Sequence, residues 1–193
     1  VYSVLDASQV RHMERIYDPA NEKIGRERDA DTDVFMFGFY IQNNISVAFR
    51  CFAGGLLLGV GTLLVLFFNG LFMGSVAGHL TRLDYVDTFY PFVIGHGSFE
   101  LTAIVFSGAA GLRLGYALLH PGPYRRLDAL RNAGREVVPM LYGIVLMLIV
   151  AAFLEAFWSS SSSLPIAVKY WVGALMWALV LIYSFSGRRH EPR

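Results

Sequence analysis

The chain has 193 residues, of which 55% are hydrophobic and 16% are charged. Soluble domains carry about 25% charged residues, so this composition argues against an ordinary soluble protein. The formal net charge of +1 argues against a nucleic-acid partner, which usually requires a strong basic patch. Cys51 is the only cysteine, so no disulfide can form within the chain.

Residues 1–36 are predicted to form a polar arm, because charged residues are concentrated before residue 34 and are sparse in the rest of the chain. The stretch "SQVRHMERIY" places Val10 and Tyr17 at helical spacing, which predicts a partly helical arm in the cytoplasm or on the membrane surface. The chain opens on Val1 without a signal-peptide pattern, so we expect its natural start to lie upstream.

Residues 37–187 predict an all-α membrane bundle of about four spans, followed by a short tail at 188–193. Residues 34–42, "VFMFGFYIQ", fit either an aromatic collar at the membrane interface or a packed continuation of the first span. Residues 71–80, "LFMGSVAGHL", are too short to cross, so we predict a re-entrant or surface-lying half-helix there. The predicted spans are 45–68, 92–119, 137–157 and 166–186.

Arginine in the short connections predicts the orientation of the chain. The connection at 120–136 and the tail are rich in arginine, and so is the arm, whereas the serine run at 159–163 carries no charge. We therefore expect a multi-pass protein of the bacterial inner membrane with both ends of this chain in the cytoplasm. Residues 70–91 and the serine run then face outward.

Four polar residues fall at similar depth in the predicted outer half of the membrane: Asn69, His96, Glu100 and Glu155. His96 and Glu100 are four residues apart and share a helix face. A charged residue at the centre of a span costs about 2.5–3.5 kcal/mol on insertion scales. The residues therefore predict either a proton, cation or head-group site, or a neutral hydrogen-bonded network that locks the bundle.

The sequence predicts no metal site, no cofactor and no catalytic residue. His96 and Glu100 supply two ligands, whereas zinc needs a third protein ligand. His79 and Glu155 complete such a site only if the fold brings them close. H-E-x-x-H and the nucleophile–histidine patterns of hydrolases are absent.

Three polar residues are predicted at the inner ends of the spans. Arg113 is predicted to anchor its span, because its long side chain can reach the cytoplasmic interface. Asn43 and Asn44 are predicted to cap a helix that starts at Ile45, with pairing to Arg113 as the alternative.

Small residues at four-residue steps predict helix packing faces, which let backbones approach closely in lipid. We expect these faces to support a homo-oligomer in the bilayer. The predicted packing residues are Gly55, Gly59, Gly70, Ser107, Gly111 and Gly115.

Three blocks follow one another along the chain: "NNISVAFRCFAGGLLLGVGTLLVLFFNGLFMG" (43–74), "GHGSFELTAIVFSGAAGLRLG" (95–115) and "AAFLEAFWS" (151–159). Together they resemble the stage II sporulation protein M family of bacterial and archaeal membrane proteins, in its broad non-sporulating form. The residues at the family's motif positions are Asn43, Asn44, Asn69, Gly70, His96, Gly97, Glu100, Gly111, Arg113, Glu155 and Phe157.

The resemblance implies a membrane scaffold, since the founding members act with peptidoglycan-remodelling enzymes, and it supplies no catalytic residue. We therefore predict a non-enzymatic, oligomeric scaffold or subunit of an envelope-associated complex. The alternative is a transporter, channel or lipid-translocating protein that uses the intramembrane polar residues. A third alternative, which the sequence favours least, is an intramembrane hydrolase.

Overall fold

The computed structural model describes residues 1–2, 4–20, 30–161 and 163–186. These ranges contain helices and no strand, which confirms the predicted all-α class. A 3-10 turn at Gly54–Leu56 lies between the second and third helices, and the fifth helix continues as a π-helical segment at Leu154–Ser159. The helices are α1 (Ala7–Tyr17), α2 (Ala30–Ala53), α3 (Val60–Arg82), α4 (Val86–Leu119), α5 (Arg126–Phe153) and α6 (Ile166–Ser186).

Four of these helices, α3 to α6, are long and apolar enough to cross a membrane, with α5 counted through Ser159. The protein is therefore a multi-pass membrane protein, as predicted. The 24 residues of α2 pack beside α3, α4 and α5. At 1.5 Å per residue, α2 is about 36 Å long, so it extends along most of the bundle.

The chain reverses between α2 and α3, where the sequence predicted a single span at 45–68. Gly59 adopts a left-handed φ of 85°, and the Thr62 hydroxyl donates to the Cys51 carbonyl over 2.7 Å across the turn. The predicted half-helix at 71–80 is also wrong, because these residues are the second half of α3. The boundary predicted between residues 36 and 37 falls inside α2, and the predicted tail at 188–193 lies outside the described residues.

The bundle has two ends, which α1 distinguishes. Glu14 of α1 contacts His79 near the end of α3, and the Thr88 hydroxyl at the start of α4 donates to the Tyr17 carbonyl. Lys169 at the start of α6 contacts Ser159. We call this the serine end; it holds α1, the connection at 83–85 and the serine run.

The opposite end, which we call the arginine end, holds the α2–α3 turn, the connection at 120–125 and the end of α6. The sequence predicted the arm on the same side as the arginine-rich connection, and this part of the topology is wrong. The arm lies at the serine end because its apolar face packs on α3 and α4. Val10 and Leu80 are fully buried in that contact. Burying such a side chain stabilises the contact by about 1.5–3 kcal/mol.

A capping box starts α1. The Asp6 carboxylate accepts from the backbone nitrogens of Ser8 and Gln9, and the Gln9 side chain accepts from the Asp6 nitrogen. The Ser8 hydroxyl and these two backbone groups hold the pKa of Asp6 below its usual value. The local sequence "DASQ" thus fixes where the helix begins.

Candidate functional site

Three ionisable side chains meet inside the bundle near the serine end. His96 and Glu100 come from α4, and Glu155 comes from the π-helical segment after α5. One ligand-type atom from each residue lies within 4.8 Å of the other two. His96 is only 4% exposed, and both glutamates are half-buried. We call these residues the His–Glu–Glu cluster.

Two local features bring the cluster together. The four-residue step from His96 to Glu100 places both side chains on one face of α4. At Glu155, the π-helical turn changes the face that α5 presents, and such turns often occur at functional sites. Gly95 leaves room for the Trp158 ring, because a Cβ there would lie 3.1 Å from that ring. The end of α5 can therefore approach α4 closely.

Asn69, the fourth residue predicted at this depth, lies in the middle of α3 rather than at the end of a span. Leu66, one turn earlier, packs on Gly108 of α4. Since α3 and α4 are antiparallel, Asn69 lies near the level of Val105, closer to the arginine end than Glu100. Three of the four predicted residues therefore lie together in the His–Glu–Glu cluster.

A short chain of hydrogen bonds fixes the histidine ring. The Nδ1 atom of His96 lies 3.1 Å from the Ser159 hydroxyl, and the buried Lys169 ammonium donates to the Ser159 carbonyl over 2.8 Å. The His96 ring also hydrogen-bonds the backbone of Phe92, one turn earlier on α4, and Nε2 is the ring nitrogen that does not face Ser159. The sequence analysis missed Ser159 and Lys169, although Lys169 is the only charged residue within 166–186.

Aromatic rings cover the cluster from the serine end. The Tyr17 ring of α1 packs edge-on against Phe89 and Phe92, and Phe92 packs edge-on against His96 with 5.4 Å between ring centroids. Burial raises the pKa of Tyr17, and the nearby Glu155, Tyr40 and Glu100 raise it further, in that order. The Tyr17 side chain is thus within electrostatic range of both Glu100 and Glu155.

His79 is not a member of the cluster. Its Nε2 atom lies 2.7 Å from the Glu14 carboxylate, and its side chain is 6% exposed. His79 therefore holds α1 on the bundle.

The predicted inner-face residues have different contacts from those expected. Arg113 forms an ion pair with Glu136 of α5 over 2.6 Å near the arginine end. Asn43 and Asn44 lie inside α2, so they do not cap a helix. The Asn43 amide donates to the Asn44 side-chain oxygen, and the buried Nδ2 of Asn44 has no hydrogen-bond partner among the residues that the structure describes. The predicted alternative, pairing with Arg113, does not occur.

The predicted glycine faces pack within the chain. Gly55 lies directly on the backbone of Gly111, and Gly59 lies directly on that of Gly115. Ser107 is buried on the same helix, whereas a Cβ on Gly70 would meet no atom within 4 Å. Four of the predicted glycines therefore join α4 to the α2–α3 turn, and these contacts are not surfaces for a second copy.

Comparison with known proteins supports the resemblance seen in the sequence. A family model described as stage II sporulation protein M matches residues 1–160. An uncharacterized protein of Methanocaldococcus jannaschii is 24% identical over 125 residues, which cover 64% of this chain and 70% of that protein. The chain matches no solved structure. The matched region includes α1 to α5 and the whole His–Glu–Glu cluster, and the chain belongs to the stage II sporulation protein M family.

Proposed function

We propose that this protein is a non-enzymatic membrane transport protein whose His–Glu–Glu cluster binds the transported or coupling cation. The observation that supports this function is the convergence of His96, Glu100 and Glu155 within 4.8 Å inside an apolar bundle. Ionisable residues within spans face the bundle interior or a cavity and mark ion and proton pathways.

Glu100 separates this function from a purely structural network. No hydrogen bond joins its carboxylate to a residue in the described part of the chain, although Tyr17 lies within electrostatic range. A polar group that locks a bundle does so through hydrogen bonds, and an unpaired one destabilises the fold. A bound cation supplies the missing partner.

The two ends of the bundle suggest the direction in which the site opens. The arginine end carries Arg125, Arg126, Arg131 and Arg135, and cytoplasmic connections are enriched in such residues. We therefore place the arginine end in the cytoplasm of the bacterial inner membrane. The serine end and α1 then face outward, and the cluster is reached from outside beneath Tyr17.

The test is cation flux into proteoliposomes, with proton entry driven by an imposed membrane potential and Zn²⁺ uptake followed with a trapped dye. We expect Glu100→Gln and Glu155→Gln each to reduce flux at least tenfold while the detergent-solubilised protein elutes unchanged in size-exclusion chromatography. Glu136→Gln is the matched control, because Glu136 is half exposed near the arginine end.

The competing function is the scaffold predicted from the sequence, a subunit of an envelope complex with peptidoglycan-remodelling proteins. Wild-type protein without any flux, or flux unchanged in the Glu100→Gln/Glu155→Gln double variant, would overturn the transport proposal. Co-purification of envelope proteins from native membranes would then favour the scaffold. This co-purification should persist in the carboxylate variants and disappear when the bundle is disrupted.

A further inference from the structure

We infer that the His–Glu–Glu cluster is a binding site for a divalent first-row transition-metal ion, represented here by Zn²⁺. The ligands are Nε2 of His96 and one carboxylate oxygen from each of Glu100 and Glu155. The inference rests on the proposed function, for which it names the class of cation.

The spacing of the three groups suits a metal ion. Zinc binds nitrogen and oxygen at about 2.0–2.2 Å, so two tetrahedral ligands lie about 3.4 Å apart. The three ligand atoms of the cluster lie within 4.8 Å of one another before any ion draws them in. In the proposed site, the two half-buried glutamate side chains shift toward the ion to close that difference.

The ligand types select the metal. One imidazole with two carboxylates is a mixed nitrogen and oxygen set, which suits zinc and its neighbours. Magnesium and calcium favour oxygen ligands alone. Two ionised carboxylates would also match the charge of a divalent ion.

The coordination number suits an exchanging ion. Structural zinc sites are closed by four protein ligands, whereas three protein ligands leave one position for water or another exchangeable group. The cluster offers three such ligands among the described residues. The site therefore fits an ion that enters and leaves, as transport requires.

The surroundings of His96 resemble the outer shell of a metal ligand. A ligating histidine usually hydrogen-bonds through its other ring nitrogen, which fixes the ring and its tautomer. Here Nδ1 faces the Ser159 hydroxyl at 3.1 Å, and Lys169 holds the Ser159 carbonyl. Nδ1 is thus held by Ser159, Nε2 is the nitrogen that we assign to the metal ion, and His96 is only 4% exposed.

The experiment is a Zn²⁺ titration of the tag-free, chelator-treated protein in detergent, by calorimetry and by metal analysis after dialysis. We expect one Zn²⁺ per chain that excess Mg²⁺ or Ca²⁺ does not displace. Glu100→Gln, Glu155→Gln and His96→Ala should each weaken binding at least a hundredfold. Ser159→Ala should weaken it about ten- to a hundredfold, as loss of an outer-shell partner does.

His12→Ala is the control, since this exposed histidine contacts Arg15 within α1, lies outside the cluster and should leave Zn²⁺ binding unchanged. X-ray absorption of the Zn²⁺-loaded wild-type protein tests the site without any substitution that could unfold it. The inference expects one imidazole nitrogen with oxygen ligands. Sulfur ligation, more than one imidazole, or full Zn²⁺ binding by the Glu100→Gln/Glu155→Gln double variant would overturn it.

The two proposals fail in different ways. Zn²⁺ binding at the cluster without flux of any cation would retain the metal site and remove the transport function. Proton flux that depends on Glu100 and Glu155, without Zn²⁺ binding, would retain the transport function and remove the metal site.

Discussion

Gly55 and Gly111 lie backbone to backbone where the turn after α2 meets α4, and a methyl group on Gly55 would overlap the Gly111 carbonyl. Overpacking typically costs about 1–3 kcal/mol, so we expect Gly55→Ala and Gly111→Ala each to lower the free energy of unfolding by at least this amount. Thermal unfolding in detergent measures this effect.

Gly74→Ala provides the matched control, because Gly74 lies in α3 and a Cβ there would meet no atom within 4 Å. Alanine is also the better helix former, so this variant should be as stable as the wild type or slightly more stable. Equal stability of all three variants would contradict the close backbone contact.

The same glycines show what the sequence could predict of the fold. The small-residue steps correctly predict close packing, but the reversal at 54–59 lies within an apolar stretch whose turn residues are glycines alone, and glycine is also frequent in membrane helices. The stretch therefore resembles one span at 45–68. The later spans are bounded by polar residues or proline, which explains why their predicted positions agree better with α4, α5 and α6.

The candidate site, like the fold, was predictable from the sequence only in part. His96 and Glu100 are joined by local spacing, and the alternation of spans places Glu155 at the same depth. The contacts with Ser159, Lys169 and Tyr17 depend on the π-helical segment and on the docking of α1. Those features arise from tertiary packing, so local spacing does not reveal them.

The contact between Glu14 and His79 predicts how firmly α1 is held. A hydrogen bond with a charged partner contributes about 1.5–3 kcal/mol, so His79→Ala should increase hydrogen exchange of the α1 amides about tenfold or more. Mass spectrometry of the exchanged protein measures this. His12→Ala is the control, because His12 contacts Arg15 within α1 and should leave the docking unchanged. Equal exchange in both variants would show that apolar packing alone holds α1.

The environment of Tyr17 predicts a loss of α1 docking at alkaline pH. Burial and the nearby Glu155, Tyr40 and Glu100 raise the pKa of Tyr17 above its ordinary value of 10.0. The neutral phenol is thus favoured in the docked state. Its contribution to docking is complete below the pKa of the undocked tyrosine and is lost as pH rises through the higher, docked pKa.

Hydrogen exchange of α1 across the alkaline range tests this dependence. The wild-type protein should lose protection as pH rises above about 10, after correction for the intrinsic exchange rate. Tyr17→Phe keeps the ring contacts with Phe89 and Phe92 and should remove the alkaline loss. An alkaline loss of the same size in Tyr17→Phe would assign it to another group.

The ion pair between Arg113 and Glu136 should contribute little to stability, despite its length of 2.6 Å. Both side chains are about half exposed, at 42% and 56%. Exposed pairs typically contribute about 0–1 kcal/mol, so Arg113→Gln should lower the free energy of unfolding by less than about 1 kcal/mol. A larger loss in thermal unfolding, close to that expected for Gly111→Ala, would show that Arg113 has a buried structural role.

The arrangement of the two ends predicts a labelling pattern that differs from the one expected from the sequence alone. Cys51 is fully buried, so single cysteines introduced at Ile16, Ser161 and Arg131 can be followed with a membrane-impermeant maleimide. Ile16 and Ser161 lie at the serine end, whereas Arg131 follows the connection at the arginine end. With the arginine end in the cytoplasm, Ile16→Cys and Ser161→Cys should react in intact cells, and Arg131→Cys should react only after lysis.

Reaction of Arg131→Cys alone in intact cells would invert the proposed orientation. Shared labelling of Ile16→Cys and Arg131→Cys, without Ser161→Cys, would contradict the docking of α1 at the serine end.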